Sequence, residues 1–342
     1  MKRGPSKKAG RTTLRDVARE AGVSIKTVSR VINGEREVNP KTAARVSEVA
    51  NRLGYRPNEL ARSLKGRRTR TIGLMIADIS NPFYAALARA VEEVARSRGY
   101  AMILCASSED PEIEREYVEV LSGRRVDGLL LVPAPGDGDH LREEQEAGLP
   151  IVAIDRPAES LRTDVVMVQN AAGTRKAIEH LISHGHRRIA FIGDDKRLHT
   201  TRKRLQGYLE ATKAAGLQDI YRLGCGTAPA AEDAVLELLG APESPTAIFA
   251  GNNLITVGVL EAISHARLHI PHDIALAGFD DFPLASALHP HLTLVRQPVE
   301  ELGRRAAELL FDRLEGKGSP SPSRIVLPTR LVVRESCGCT FP

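Results

Sequence analysis

The sequence predicts a small all-helical head followed by a larger α/β body. Three observations carry this reading. Residues 1–70 hold 19 lysines and arginines against 6 acidic residues, while the remainder holds 29 against 37. Apolar residues recur at helical spacing through about the first 56 positions. From Thr71 onward, short apolar runs alternate with helical segments, the pattern of parallel sheets covered on both faces. A chain of 342 residues is also too long for one ordinary core. No run of eighteen apolar residues is present, so no membrane span is expected. The basic stretch Met1 to Arg11 is not followed by an apolar segment, which argues against a secretory leader. The four cysteines are too few and too scattered for a disulfide framework, and a reducing cytoplasm is the expected compartment.

The basic head points to a polyanionic partner, and its helices say which. Residues 14–21 read as a helix with Thr13 as N-cap and Asp16 completing a capping box. Leu14, Val17, Ala18 and Ala21 share one face, and Gly22 permits a sharp turn. Ser24 caps a second helix with Val28, Val31 and Ile32 inside, ending at Asn33-Gly34. Asn39 and Pro40 start a third, with Val46, Val49, Ala50 and Leu53 inside. Two short helices joined by a glycine turn, with small Ala18 at their crossing, describe a helix-turn-helix. The outer face of the second carries Ile25, Lys26 and Arg30, suited to base edges in the major groove. Thr13, Ser24, Thr27, Ser29 and Asn33 are suited to phosphates.

These residues also carry a resemblance. The stretch Thr13 to Asn33 (TLRDVAREAGVSIKTVSRVIN) closely resembles the DNA-binding head of LacI-family repressors. So does Leu53 to Leu64 (LGYRPNELARSL), and the similarity runs on to Arg334-Glu-Ser-Cys337. Residues 57–65 carry an apolar strip of Leu60, Ala61 and Leu64 behind a capping Asn58. Nine residues cannot sustain a helix alone in water. The resemblance implies a hinge helix that folds when two copies meet on DNA, with Asn58, Ala61 and Leu64 at the minor groove and Leu64 as a wedge between base pairs. The expected divisions are a basic tail (1–12), the helix-turn-helix (13–56), the hinge and linker (57–70) and the body (71–342).

In the body, the apolar runs 71–77, 101–105, 128–132, 151–154, 189–192, 247–250 and 274–278 read as strands, and about 170–184 as a helix. Four strands and then another set suggest two similar doubly wound lobes, about 71–168 with 296–328 and 169–295 with 329–342. The resemblance implies lobes like those of periplasmic sugar-binding proteins, with a ligand between them. Ligands of open parallel sheets sit beyond the carboxyl ends of the strands. Those ends offer Asp78, Ser80, Asn81, Phe83 and Tyr84, then Asp155 and Arg156, Asn252 and Asn253, and Asp280 and Asp281. Carboxylates, amides and arginines beside an aromatic suit a polyhydroxylated ligand. The resemblance assigns effector contact to Asp155, Arg204, Asn252 and Asp280, and Phe83 and Arg156 join them by position. Asn81-Pro82 reads first as a helix start, and Asn253 stands where many family members have aspartate.

Cys337-Gly-Cys339 lacks a second ligand pair nearby in sequence and is a weak metal signal. The ten histidines show no spacing that compels a metal site, and Gly193-Asp194-Asp195 is no Walker loop. No nucleophile-base set is apparent. The expectation is therefore a non-enzymatic, cytoplasmic, dimeric repressor without cofactor or metal. Its partners would be a near-palindromic DNA operator and a small-molecule effector, most simply a carbohydrate. A transport protein and an α/β enzyme are the alternatives.

Overall fold

Residues 12–32, 38–55, 68–136, 138–159 and 161–339 are described by a computed structural model, which divides into two units at Thr69/Arg70. In the first unit, α1 (Leu14–Ala21), α2 (Ile25–Ile32) and α3 (Pro40–Arg52) pack around Val17, Val28 and Val46, all fully buried. The start of α1 is set by a reciprocal box: Asp16 Oδ2 accepts from the Thr13 amide at 3.0 Å, and the Thr13 side chain accepts from the Asp16 amide. Gly22 closes α1 at φ 62°, a conformation that costs glycine nothing, and so turns the chain into α2. Ser24 Oγ accepts from the Thr27 amide at 3.0 Å and begins α2. Asn39 and Pro40 begin α3 in the same way, with Asn39 Oδ1 accepting from the Lys41 amide. Asn33 and the segment 57–65, with Asn58, Ala61 and Leu64, lie outside the described residues.

The second unit contains two sheets of six described strands each. The first has β1 (Thr71–Ile76), β2 (Ala101–Ala106), β3 (Gly128–Leu131), β4 (Ile151–Ile154), β5 (Asp164–Val168) and β11 (Arg324–Leu327), in the order β11-β5-β4-β3-β1-β2 and all parallel. The second has β6 (Ile189–Ile192), β7 (Ile220–Arg222), β8 (Ala247–Ala250), β9 (Ala275–Phe279), β10 (Thr293–Arg296) and β12 (Arg330–Val332), in the order β12-β10-β9-β8-β6-β7. Only β12 in this sheet runs antiparallel. The first sheet packs against α4 (Pro82–Ser97) and α11 (Val299–Leu314), with α5 (Pro111–Gly123) and α6 (Asp139–Glu146) completing its helices. The second is accompanied by α7 (Asn170–Ser183), α8 (His199–Ala214), α9 (Ala228–Leu239) and α10 (Asn253–His265). The chain passes between the two sheets after Val168, after Arg296 and after Leu327.

Each sheet reverses its winding between its first and third strands, the place where open sheets leave a crevice. The sequence pattern found the uninterrupted apolar strands and missed β5, β7, β10, β11 and β12. Their signals are weak for physical reasons. β5 starts on the charged Asp164, which is buried because Arg313 clamps it at 2.7 and 2.9 Å. β7 and β12 have three residues each, and β11 alternates exposed and half-buried positions at a sheet edge.

Helix crossings in the second sheet's layers depend on glycine. A Cβ at Gly207 would stand 2.1 Å from the carbonyl oxygen of Ala171, across the contact of α7 and α8. Backbone cannot yield as a side chain does, so Gly207→Ala should destabilise the chain by at least the ~1–3 kcal/mol typical of overpacking. Gly123→Ala, where nothing lies within 4 Å, should be neutral or stabilising by up to ~1 kcal/mol. Denaturant midpoints for the two variants check the contrast, and equal effects would refute it.

Candidate functional site

The two sheets present matching carboxylates. Asp155 directly follows β4 and Asp280 directly follows β9. Both take positive φ (69° and 74°), and both donate their amide to the adjacent strand, Asp155 to Val166 O at 2.8 Å and Asp280 to Val295 O at 3.0 Å. Non-glycine residues held at positive φ cost energy that the surroundings must supply, which marks these two strand ends as functional candidates.

Between them lies Arg204, on α8 and 6% exposed. Its Nε donates to Asn170 Oδ1 at 2.8 Å and its Nη1 to Gly251 O at 2.7 Å. The guanidinium lies 3.9 Å from the Phe279 ring centroid and 3.7 Å from Asp280 Oδ2. Gln297 Nε2 donates to Asp280 Oδ1. Asn81 and Asn253 exchange two hydrogen bonds of 3.1 and 2.7 Å, each amide joining a helix start of one sheet layer to that of the other. Phe83, Asn253, Asp280 and Gln297 border a cavity of about 410 Å³.

Two acceptors in this group lack partners: Asp155 Oδ1 and Gln297 Oε1 are buried and unsatisfied among the described residues. A buried acceptor without a donor is costly, and a ligand hydroxyl is the natural remedy. Burial pushes the Asp155 carboxyl up to about 6, against the pull of Arg156 and Arg204. Tyr84, fully enclosed beside these charges, has its phenol pushed well above its ordinary value by burial.

The structure thus brings together Phe83, Asp155, Arg204 and Asp280 from the sequence-derived set. Arg156 is buried beside them, but its Nε is taken by Pro133 O at 2.6 Å and its Nη2 by Glu109. Asn252 lies two residues past β8. Its Oδ1 caps α10 by accepting from the Ile255 amide at 2.8 Å, and its Nδ2 donates to Asp194 at 3.2 Å. The neighbouring Asn253 pairs with Asn81 and borders the cavity, because the helix start turns successive side chains in different directions. Asn81 is both a helix cap, accepting from Phe83 N at 3.0 Å, and a cleft residue. Gln297 and Asn170 were missed. Gln297 follows β10, and recognising that strand would have exposed it as a strand-end residue. Asn170 carries only the signal of a helix start in the sequence.

In the first unit, a turn of about 100° per residue gathers Ile25, Lys26, Ser29 and Arg30 on the arc of α2 opposite Val28 and Val31. Ile25 is 46% exposed and Lys26 is exposed, while Thr27, Ser29 and Arg30 are half-buried. The Thr13 hydroxyl donates to Asp16 at 2.7 Å, and the Ser24 and Thr27 hydroxyls lie 2.8 Å apart.

Residues 13–58 match the family described as bacterial regulatory proteins, lacI family, and residues 178–337 match the periplasmic binding protein-like domain. The chain is 40% identical over 307 residues to the ribose operon repressor of Escherichia coli, covering 88% of this chain and 93% of that one. It belongs to the lacI family of bacterial regulatory proteins. Among solved structures, the lac repressor dimer bound to operator and an anti-inducer matches with a TM-score of 0.85 at 27% identity, over 96% of this chain and 99% of that one. A LacI family regulator from Enterococcus faecium with bound ribose matches with a TM-score of 0.71 at 28% identity, over 78% and 98%. This LacI-family chain is accordingly a DNA-binding transcriptional regulator with a helix-turn-helix head and a two-lobed, periplasmic-binding-protein-like body. No helix among the described residues is long and apolar enough to cross a membrane.

The Asp155 environment gives a pH prediction for the ligand-free protein. Its folded value of about 6 lies above the ordinary 3.8, so between them the folded state holds more protons than the unfolded one. Stability from this group therefore falls as pH rises through that window, by up to ~3 kcal/mol. Asp155→Asn should be more stable than wild type at neutral pH, with the advantage shrinking toward about pH 4. Chemical denaturation across that range checks it, and a pH-independent difference would contradict it.

Proposed function

We propose that this LacI-family regulator is a homodimeric repressor whose operator affinity is set by a pentose of the ribose type held between the two lobes. The observation that carries the ligand class is the pair of buried, partnerless acceptors, Asp155 Oδ1 and Gln297 Oε1, beside the Arg204 fork. Vicinal hydroxyls donate to both acceptors, and each hydroxyl oxygen can still accept a bond in turn. The half-buried ring of Phe83 gives the apolar face of a sugar ring a surface to pack on. The E. coli relative's designation as a ribose operon repressor and the ribose bound to the E. faecium neighbour support the same class.

In the head, Ile25, Lys26 and Arg30 are proposed to read base edges. Thr13, Ser24, Thr27, Ser29 and Asn33 hold phosphates, and Asn58, Ala61 and Leu64 serve the minor groove. Two heads are needed because a single small module buries too little surface for tight specific binding. The ligand acts by binding one arrangement of the lobes better than the other, which shifts how two heads are held. The reading places no catalytic group in the cleft and locates the protein in the cytoplasm, on the nucleoid when DNA-bound.

Isothermal titration of the full chain with D-ribose should show saturable binding, and Asp155→Asn should weaken it by about 10–100-fold, the worth of a hydrogen bond to a charged acceptor. Ribose should change affinity for a selected palindromic operator by about 5–150-fold in electrophoretic shifts. A chain that ignores ribose and binds a hexose or nucleobase would overturn the ligand class. In the head, Lys26→Ala should relax preference at one base position per half-site by about 1–3 kcal/mol. An unchanged consensus from randomised operators would remove Lys26 from the base readers.

A further inference from the structure

At the end of α7 away from Asn170, the fold assembles two pairs of groups that lie more than 150 residues apart in sequence. His180 and His184 stand one turn apart on α7 and its end, and Cys337 and Cys339 come from the last described segment. Cys339 Sγ lies 3.2 Å from His180 Nε2 and 3.1 Å from His184 Nε2. Cys337 Sγ lies 3.3 Å from His180 Nε2 and 2.8 Å from Cys339 Sγ. The weak Cys-Gly-Cys signal thus gains the second ligand pair it lacked.

Each element is arranged to hold its donors there. His184 Nδ1 donates to the carbonyl of His180 at 2.8 Å, which leaves the Nε2 lone pair facing Cys339. Ser336 fixes the other strand of the site: its hydroxyl donates to Leu276 O at 2.7 Å and accepts from Thr293 N at 2.8 Å. Cys337 is fully buried against that anchor. Gly338 takes φ 83°, the left-handed turn that brings both thiols to one side.

We propose that His180, His184, Cys337 and Cys339 form a binding site for one zinc-type divalent ion. Tetrahedral zinc with bonds of about 2.3 Å to sulfur and 2.0–2.1 Å to nitrogen spaces its donors roughly 3.3–3.8 Å apart, so the four short pairs spread by up to about one ångström while Cys337 and His184, at opposite sides of the cluster, draw closer by side-chain rotation. Two imidazoles and two thiolates are a closed structural set, and a borderline-soft ion suits it better than calcium or magnesium. On binding, each thiol releases its proton to solvent and each imidazole gives its lone pair, so the dication meets two thiolates and two neutral rings. A redox role for the cysteines would need no imidazoles, whereas here both rings present Nε2 to sulfur. The ion would staple the C-terminal segment to the end of α7.

The test uses the untagged full chain, purified under reducing conditions and supplied with zinc alone. Elemental analysis should find one zinc per chain, and cobalt exchange should give tetrahedral d–d bands with thiolate-to-cobalt charge transfer. Cys339→Ser and His184→Gln sit at half-buried and exposed positions, so both should fold, as judged by far-UV circular dichroism. Both should lose stoichiometric metal, and the chelator-induced drop in Tm expected of the wild type should vanish in them. Zinc content unaffected by both substitutions, a cobalt spectrum without the thiolate band, or a Cys337–Cys339 disulfide that blocks metal uptake would each overturn the assignment.

Discussion

A guanidinium in an interior must be paired on nearly every side, and Arg204 imposes that condition on the second lobe. Its charge cannot be shed, and moving it from water without partners would cost many kcal/mol. Its partners are therefore dictated. They are the amide at the start of α7, the carbonyl after β8, the ring at the end of β9 and, at 3.7 Å, the carboxylate of Asp280. Four elements thus meet at one side chain. The layout of the cleft on this side follows from satisfying Arg204, and Gly207, three residues further along α8, lets that helix sit close enough to α7 for the arginine to reach.

The first lobe answers with the opposite imbalance. Asp155 carries a buried carboxylate whose nearest cations, Arg156 and Arg204, have their best donors spent on Glu109, Pro133, Asn170 and Gly251. The result is a site with its donors largely used and its acceptors in surplus. A ligand rich in hydroxyls corrects that surplus, since each hydroxyl donates once and still accepts. The Asn81–Asn253 pair works differently. It ties the two lobes together without charge, so its two bonds can be exchanged for bonds to ligand or water at small net cost. The densest charge pairing around Arg204 and Arg156 sits within a lobe, while the lobes meet through the neutral Asn81–Asn253 pair and the exposed Arg202–Glu159 ion pair, both cheap to exchange for water.

The fold was largely legible in the sequence. Apolar runs such as Ile151–Ile154 and Ala247–Ala250 are fully buried strands, and hydrophobicity alone announces them. The head was more legible still, because Thr13, Gly22, Ser24 and Asn39 are local devices whose physics needs only neighbouring residues. The cleft was half legible. Asp155 and Asp280 could be read as strand-end carboxylates, and Arg204 came with the family pattern. The pairing of Asn253 with Asn81 could not be read, since it turns on which amide faces inward at a helix start. Gln297 was hidden because β10 has only three buried residues, one of them the polar Thr293, and ends on a charged, exposed arginine.

The cysteine and histidine cluster marks the limit of local reading in the other direction. A Cys-Gly-Cys pair is ambiguous alone, and so is a His-x-x-x-His pair on one helix. Each supplies two donors, and a closed tetrahedral set needs four. Only the tertiary path of the last strand, β12, which runs antiparallel beside β10 and returns the chain toward α7, brings the pairs together. The placement also has a mechanical side. α7 begins at Asn170, which orients Arg204, and ends at the two histidines, so one rigid helix has its first residue on the ligand cleft and its last turn on the thiols. Whatever fixes the last turn of α7 restricts the tilt of the same helix at the cleft. In the mechanism proposed above, where a ligand favours one arrangement of the lobes, the stiffness of that helix sets how far a ligand's local demands are passed on rather than absorbed.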